Sequence, residues 1–186
     1  MPSDPVRRHA ARAATLVAVP VALAVIGISF WTYGGVNATN AAPTPSAAPQ
    51  ATAPVTMAAP ALTEDVAAVC RTVVAKLPET VLDLRRRPVT AGAEQNAAYG
   101  DPALTLSCGV AAPSLPPTSQ VYPLSGVCWS TQTATTGTVW TTVDRTVPVA
   151  VTVPGRPDGS GQSVVPLSKV IVDAVPRLAA PPSGCG

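Results

Sequence analysis

Four cysteines, Cys70, Cys108, Cys128 and Cys185, are the residues of this 186-residue chain whose type and placing bear most directly on chemistry. They are scattered, with no Cys-x-x-Cys pair, so a zinc site has no support in their spacing. A serine or cysteine nucleophile usually works beside a histidine or another positioned base. The single histidine is His9, far ahead of the cysteines, which excludes a Ser-His-Asp or Cys-His engine in the rest of the chain. An even, dispersed set of cysteines is instead what two disulfides need in an oxidising compartment. A reactive thiol at Cys128 or Cys185 is the alternative.

Carboxylates could serve a glycosidase as an acid/base pair. Asp83, Glu94, Asp101 and Asp144 are the candidates, but all fall in turns or at strand ends, where turn formation and solvation are their ordinary roles. No glycine-rich phosphate loop with its lysine is present, and the glycines of 155–161 lie in a polar turn. Arg85-Arg86-Arg87 is the one notable charge run. It offers a contact for an anionic envelope polymer or lipid headgroup, against the plainer reading of a solvated edge balanced by Asp83 and Glu79. Asp144 and Arg145 read as a surface pair. Tyr99, Tyr122, Trp129 and Trp140 could stack on carbohydrate, although such rings more often belong to a core. No catalytic residue, metal site or cofactor is expected.

The formal net charge of +2 resides entirely in the first twelve residues, where Arg7, Arg8 and Arg12 face only Asp4. Nine basic and nine acidic side chains cancel over the remainder. A nucleic-acid reader needs a surplus of cations against phosphate, and this body has none.

The segment Ala13 to Trp31 holds no charged side chain over 19 positions. As a helix it would span ~28 Å, close to the ~30 Å hydrocarbon core of a bilayer. It exceeds the ~7–15 residues of a signal-peptide core. Phe30, Trp31 and Tyr33 close it with rings suited to the interface, and the arginines behind it are expected to stay cytoplasmic. Residues 1–12 thus read as a cytoplasmic tail, 13–33 as a single-pass signal-anchor and the rest as extracytoplasmic. A secreted form cleaved near Val36-Asn37-Ala38 is the alternative.

Between Ala41 and Pro60, eight alanines and five prolines fill 13 of 20 positions. So little apolar bulk cannot offset chain entropy, so residues 34–60 read as a disordered, semi-rigid linker. At residue 61 the pattern changes. Val66, Val69, Cys70, Val73, Val74 and Leu77 share one face of a helix, with Thr63 at its start and Pro78 as its stop. Leu104, Leu106, Cys108 and Val110 alternate as a strand after the Gly100-Asp101-Pro102 turn. Further strands are expected from Gly126, over Thr138 to Val143, and over Val147 to Val153, where Pro148 argues for a sheet edge. A closing helix is expected over roughly 165–175. This order predicts an α+β domain over 61–178, a small antiparallel sheet of about four strands packed by two helices, followed by a tail at 179–186.

Four cysteines allow three pairings, and loop length does not choose between them. Position does. Cys70 on the helix stripe and Cys108 on the apolar strand face both point at the core, which leaves Cys128 for Cys185.

Cys70 in a helix ending Leu77-Pro78, then Arg86-Arg87-Pro88-Val89, then Ala98-Tyr99-Gly100-Asp101-Pro102, resembles an actinobacterial envelope family, the domain of unknown function DUF3515. Cys108-Gly109-Val110, Gly126-Val127 with Trp129, and Asp144-Arg145 before a valine strand continue the likeness over roughly residues 68–176. The resemblance implies single-pass membrane or secreted proteins and a correspondence of Cys70 and Cys108 with the family's paired cysteines. It implies no activity. Tyr99, where a tryptophan is expected, and Cys128 depart from the pattern.

Together these features predict a non-enzymatic, membrane-anchored extracytoplasmic module of the cell envelope. Its expected partners are the membrane and other envelope proteins or polymers, with no nucleic acid. An envelope enzyme using carboxylates or a thiol is the competing expectation.

Overall fold

The computed structural model describes residues 50–116, 118–155 and 159–185. The expected cytoplasmic tail (1–12), signal-anchor (13–33) and first part of the linker (34–49) lie outside the described residues. Among the described residues no helix is long and apolar enough to cross a membrane.

Helix α1 spans Glu64–Lys76. Its valine and cysteine stripe is the reason it forms here, and Cys70, Val73 and Val74 are buried. Glu64 and Asp65 occupy the first turn and Lys76 the last, each favourable to the helix dipole. Thr63 stands at the N-cap, but its side chain makes no capping bond. Helix α2 spans Gly161–Ala174 and buries Val164, Leu167, Ser168 and Ile171.

Eight strands follow one another as β1 (Thr80–Val81), β2 (Leu84–Arg87), β3 (Asn96–Tyr99), β4 (Leu104–Cys108), β5 (Val121–Leu124), β6 (Val127–Ala134), β7 (Gly137–Thr142) and β8 (Val149–Pro154). They form a single sheet in the order β1-β2-β3-β4-β8-β7-β6-β5, and every neighbouring pair is antiparallel. The α+β class with two helices and an antiparallel sheet holds, but the sheet has twice the four strands expected. Leu106 pairs with Val151 and Val151 with Trp140, so the buried side chains of β4, β8 and β7 share one face. Val73, Val164, Leu167 and Ile171 of the helices, with Leu77 just after α1, join that face in the main core.

Pro148 does not mark an edge. Strand β8 runs through the middle of the sheet between β4 and β7, and Pro148 lies just before it. A proline there withholds no ladder donor, while its carbonyl accepts the amide of Gly109 at 2.9 Å. The true edge strand β5 carries Pro123, where the missing donor is harmless. The β6–β7 hairpin closes at Gly137, φ +151°, where a Cβ would collide with the carbonyl oxygen of Val153.

Residues 50–60, expected to belong to the linker, lie instead as an extended strap on the domain. Val55 forms a parallel bridge with Val89, its amide reaching Pro88 O at 2.8 Å and its carbonyl accepting Thr90 N at 2.9 Å. Asn96 Nδ2 donates to Ala58 O at 2.8 Å and Gln95 Nε2 to Pro60 O at 3.2 Å. The alanines and prolines of the strap bury little themselves. Partners distant in the chain satisfy their backbone and hold them in place.

Candidate functional site

Cys70 and Cys108 form a disulfide with Cα atoms 5.5 Å apart, and Cys128 and Cys185 form a second with Cα atoms 5.6 Å apart. The first lies in the main core between α1 and β4. The second makes a smaller cluster with Val143, flanked by Leu115 and Val121. No free cysteine occurs among the described residues, which removes Cys128 and Cys185 as reactive thiols. No group of three or more His, Cys, Asp or Glu side chains able to hold a metal ion occurs among them either.

Asp144 and Arg145 are not a surface pair. They are 1% and 6% exposed, and they tie the C-terminal segment to the sheet. Asp144 Oδ1 accepts the amide of Cys128 at 3.0 Å, and its Oδ2 lies 3.5 Å from Arg177 Nε. Arg145 Nη1 donates to Val175 O at 3.3 Å and Nη2 to Gly126 O. Arg145 Nε stands 3.4 Å from Asp144 Oδ1, close enough for charge attraction but without hydrogen-bond alignment. A buried pair of this kind is tolerable because both carboxylate oxygens and both terminal guanidinium nitrogens have partners. With every Asp144 oxygen engaged, it is a structural knot rather than a general acid. The other candidate carboxylates, Asp83, Glu94 and Asp101, are exposed.

The three consecutive arginines of β2 do not form one cationic grip. Arg87 donates from Nε and Nη2 to Ala53 O at 3.0 and 2.7 Å, and from Nη1 to Gly100 O at 2.7 Å. Arg86 Nη1 reaches Val74 O at 3.4 Å. Two of the guanidinium groups therefore hold the strap and α1 in place. Arg85 alone is exposed on the strand, its amide taken by Gln50 Oε1 at 2.7 Å.

The four flagged rings divide into two pairs. Tyr99 and Trp129 are fully buried in the core. Burial pushes the Tyr99 phenol up to about 12, against a smaller opposing effect of the Arg86 charge, and its hydroxyl donates to Pro78 O at 2.9 Å. Tyr122 and Trp140 instead meet at 5.5 Å between ring centroids with planes tilted by 59°. They line a groove of about 570 Å³ bounded by β5, the β6–β7 hairpin and the start of α2. The register Thr131↔Trp140 and Thr133↔Thr138 brings three threonine side chains onto the same face as Trp140. Trp140 Nε1 donates to Ser160 Oγ at 3.1 Å, which fixes the indole against the helix start. Gln162 and Val165 close the far wall. No charged side chain is among the described residues that line it.

A second trough of about 510 Å³ lies beside it, lined by Ser114, Ser119, Gln120, Ser130, Gln132 and Thr141 among others. No charged side chain is among its described lining residues, and Tyr122 borders both.

Sequence reasoning singled out Tyr122 and Trp140 but missed Thr131, Thr133, Thr138 and Gln162. The period-two spacing of Thr131 and Thr133 along a strand was the local signal that could have placed those two on one face.

A model of the family described as Protein of unknown function (DUF3515) matches residues 15–180. No curated protein and no solved structure matches the chain. The match takes in the Cys70–Cys108 disulfide, the Asp144–Arg145 knot and the whole groove. By that coverage, the chain belongs to the DUF3515 family of proteins of unknown function.

Proposed function

We propose that this protein is a membrane-anchored extracytoplasmic module of the cell envelope that binds a ligand or partner without transforming it. The observation that carries the reading is the pair of disulfides, one in each core cluster of the domain. Disulfides persist in oxidising compartments, so two of them support export. The apolar run 13–31 behind Arg7, Arg8 and Arg12 supports a spanning helix with its N-terminus in the cytoplasm. The groove supports binding, since its described lining offers rings, hydroxyls and an amide, with no acid, base or cation among the described residues. An enzyme working through Asp144 would first have to break the bonds that hold the C-terminal segment.

Fractionation combined with thiol trapping in intact cells tests this. The full-length chain is expected in the membrane fraction, with all four cysteines protected from alkylation until reductant is added. Freely labelled cysteines in a cytosolic chain would overturn the reading. A soluble form beginning after Ala38 would replace the anchor with a cleaved leader. Growth complementation by D83N and D101N variants is expected to match the wild type, whereas loss by either with folding intact would favour an enzyme.

A further inference from the structure

We infer that the groove between β5, the β6–β7 hairpin and the start of α2 is a saccharide site that takes an uncharged pyranose ring against Tyr122. This deepens the binding-module reading and rests on it. The volume of about 570 Å³ suits a small ligand or part of a chain of sugars. Among the described residues that line the groove, an ionic ligand would lose hydration and meet no opposite charge, which favours a neutral one. A purely apolar ligand, such as an acyl chain, would cover Thr131, Thr133 and Gln162 and leave their hydrogen bonds unmade.

A pyranose meets both conditions. Its axial C–H groups form an apolar face for an aromatic ring, and its equatorial hydroxyls both donate and accept, as threonine and glutamine side chains do. Tyr122 is the platform, because it is only half-buried while Trp140 behind it is 6% exposed and already bonded to Ser160. Gly161 keeps the floor low, since even a Cβ there would approach Trp140 Cη2 to 3.2 Å and Leu124 Cδ1 to 3.5 Å. Thr138 supplies the independent sign of a ligand. It lines the groove, is 3% exposed, and its hydroxyl has no partner among the described residues. Buried hydroxyls are seldom left so, and a hydroxyl of a bound ligand is the kind of partner that would satisfy it.

The test is titration of the full-length chain, held in a detergent without a sugar headgroup, with cellobiose and N,N′-diacetylchitobiose. Saturation-transfer NMR and tryptophan emission provide the readouts. Saturable binding is expected, with the strongest transfer to ring C–H protons. Tyr122→Phe is expected to bind as the wild type and Tyr122→Ala to lose binding. The exposed pair T131V/T133V, which costs the core nothing, is expected to weaken affinity about tenfold, equivalent to ~1.4 kcal/mol. Absence of saturation by both disaccharides up to tens of millimolar, with both disulfides intact, would overturn the proposal. So would unchanged binding in T131V/T133V and Tyr122→Ala. Either failure leaves the fractionation and thiol-trapping results untouched, so the module reading is judged separately.

Discussion

The amide of Cys128 donates to the Asp144 carboxylate at 3.0 Å, which joins the second disulfide and the buried ion cluster in one unit. Arg177 completes it, with Nε at Asp144 Oδ2 and Nη2 on the carbonyl of Cys185. A C-terminal segment that carries few apolar side chains is thus held by a covalent bond and by charge.

Removing that carboxylate leaves Arg145 buried and uncompensated. Asp144→Ala is expected to cost about 3–5 kcal/mol in urea denaturation. Lys169→Ala, which breaks the exposed pair with Asp173 at 3.1 Å, is expected to cost less than about 0.5 kcal/mol. Equal effects would contradict the buried role.

The two disulfides close loops of 38 and 57 residues, for which chain entropy alone gives about 4 kcal/mol each. The paired substitutions should nevertheless differ. Cys70→Ala with Cys108→Ala also empties volume in the main core, so its cost is expected to exceed that of Cys128→Ala with Cys185→Ala by about 1–2 kcal/mol. Thermal unfolding of the two double variants measures the difference.

Arg87 holds the strap, its guanidinium bonding Ala53 O twice and Gly100 O once. Arg87→Ala is expected to lower stability by about 2–3 kcal/mol, since bonds to charged donors are the stronger ones. Limited proteolysis should then cut between residues 50 and 60 while the sheet resists. Equal protection of the strap in the variant would show that its backbone bonds to Pro88 and Thr90 suffice.

Part of this was legible in sequence, and the reasons are local. The helical spacing of Val66 to Leu77 announces α1, and the alternation of Val149, Val151 and Val153 announces β8. The Cys70–Cys108 pair followed from the faces those residues occupy, and the Cys128–Cys185 pair by elimination. Strand β2 was illegible because Leu84–Arg87 reads as a charge run. Strand β3 was illegible because all four residues of Asn96–Tyr99 are buried, on both faces, and carry no alternation. The strap has a spacer's composition, and its order comes from Asn96, Gln95 and Arg87, more than thirty positions away. Nor does sequence tell Trp129 from Trp140. Both lie on the helix-covered face and in the main core, and only the sheet register sets Trp140 beside the groove as well.

Tyr99 makes stability fall at high pH. Its phenol ionises at 10.0 when free and at about 12 when folded, so the folded chain keeps the proton longer than the unfolded one. The contribution is complete below 10 and is lost as pH climbs through that window, at a limiting slope of about 1.4 kcal/mol per unit. Tyr99→Phe, which also gives up the bond to Pro78 O, is expected to start about 1 kcal/mol less stable and to lose that alkaline slope. Chemical denaturation across the window reads both effects.

The side of the membrane on which the stapled domain resides tests the account most directly. A phosphatase that becomes active only where disulfides can form, fused after Gly186, reports it. Activity in intact cells, matched by a silent fluorescent protein that matures only in the cytosol, is the predicted result. The reverse pattern, an inactive phosphatase and a bright cytosolic reporter, would contradict the exported module.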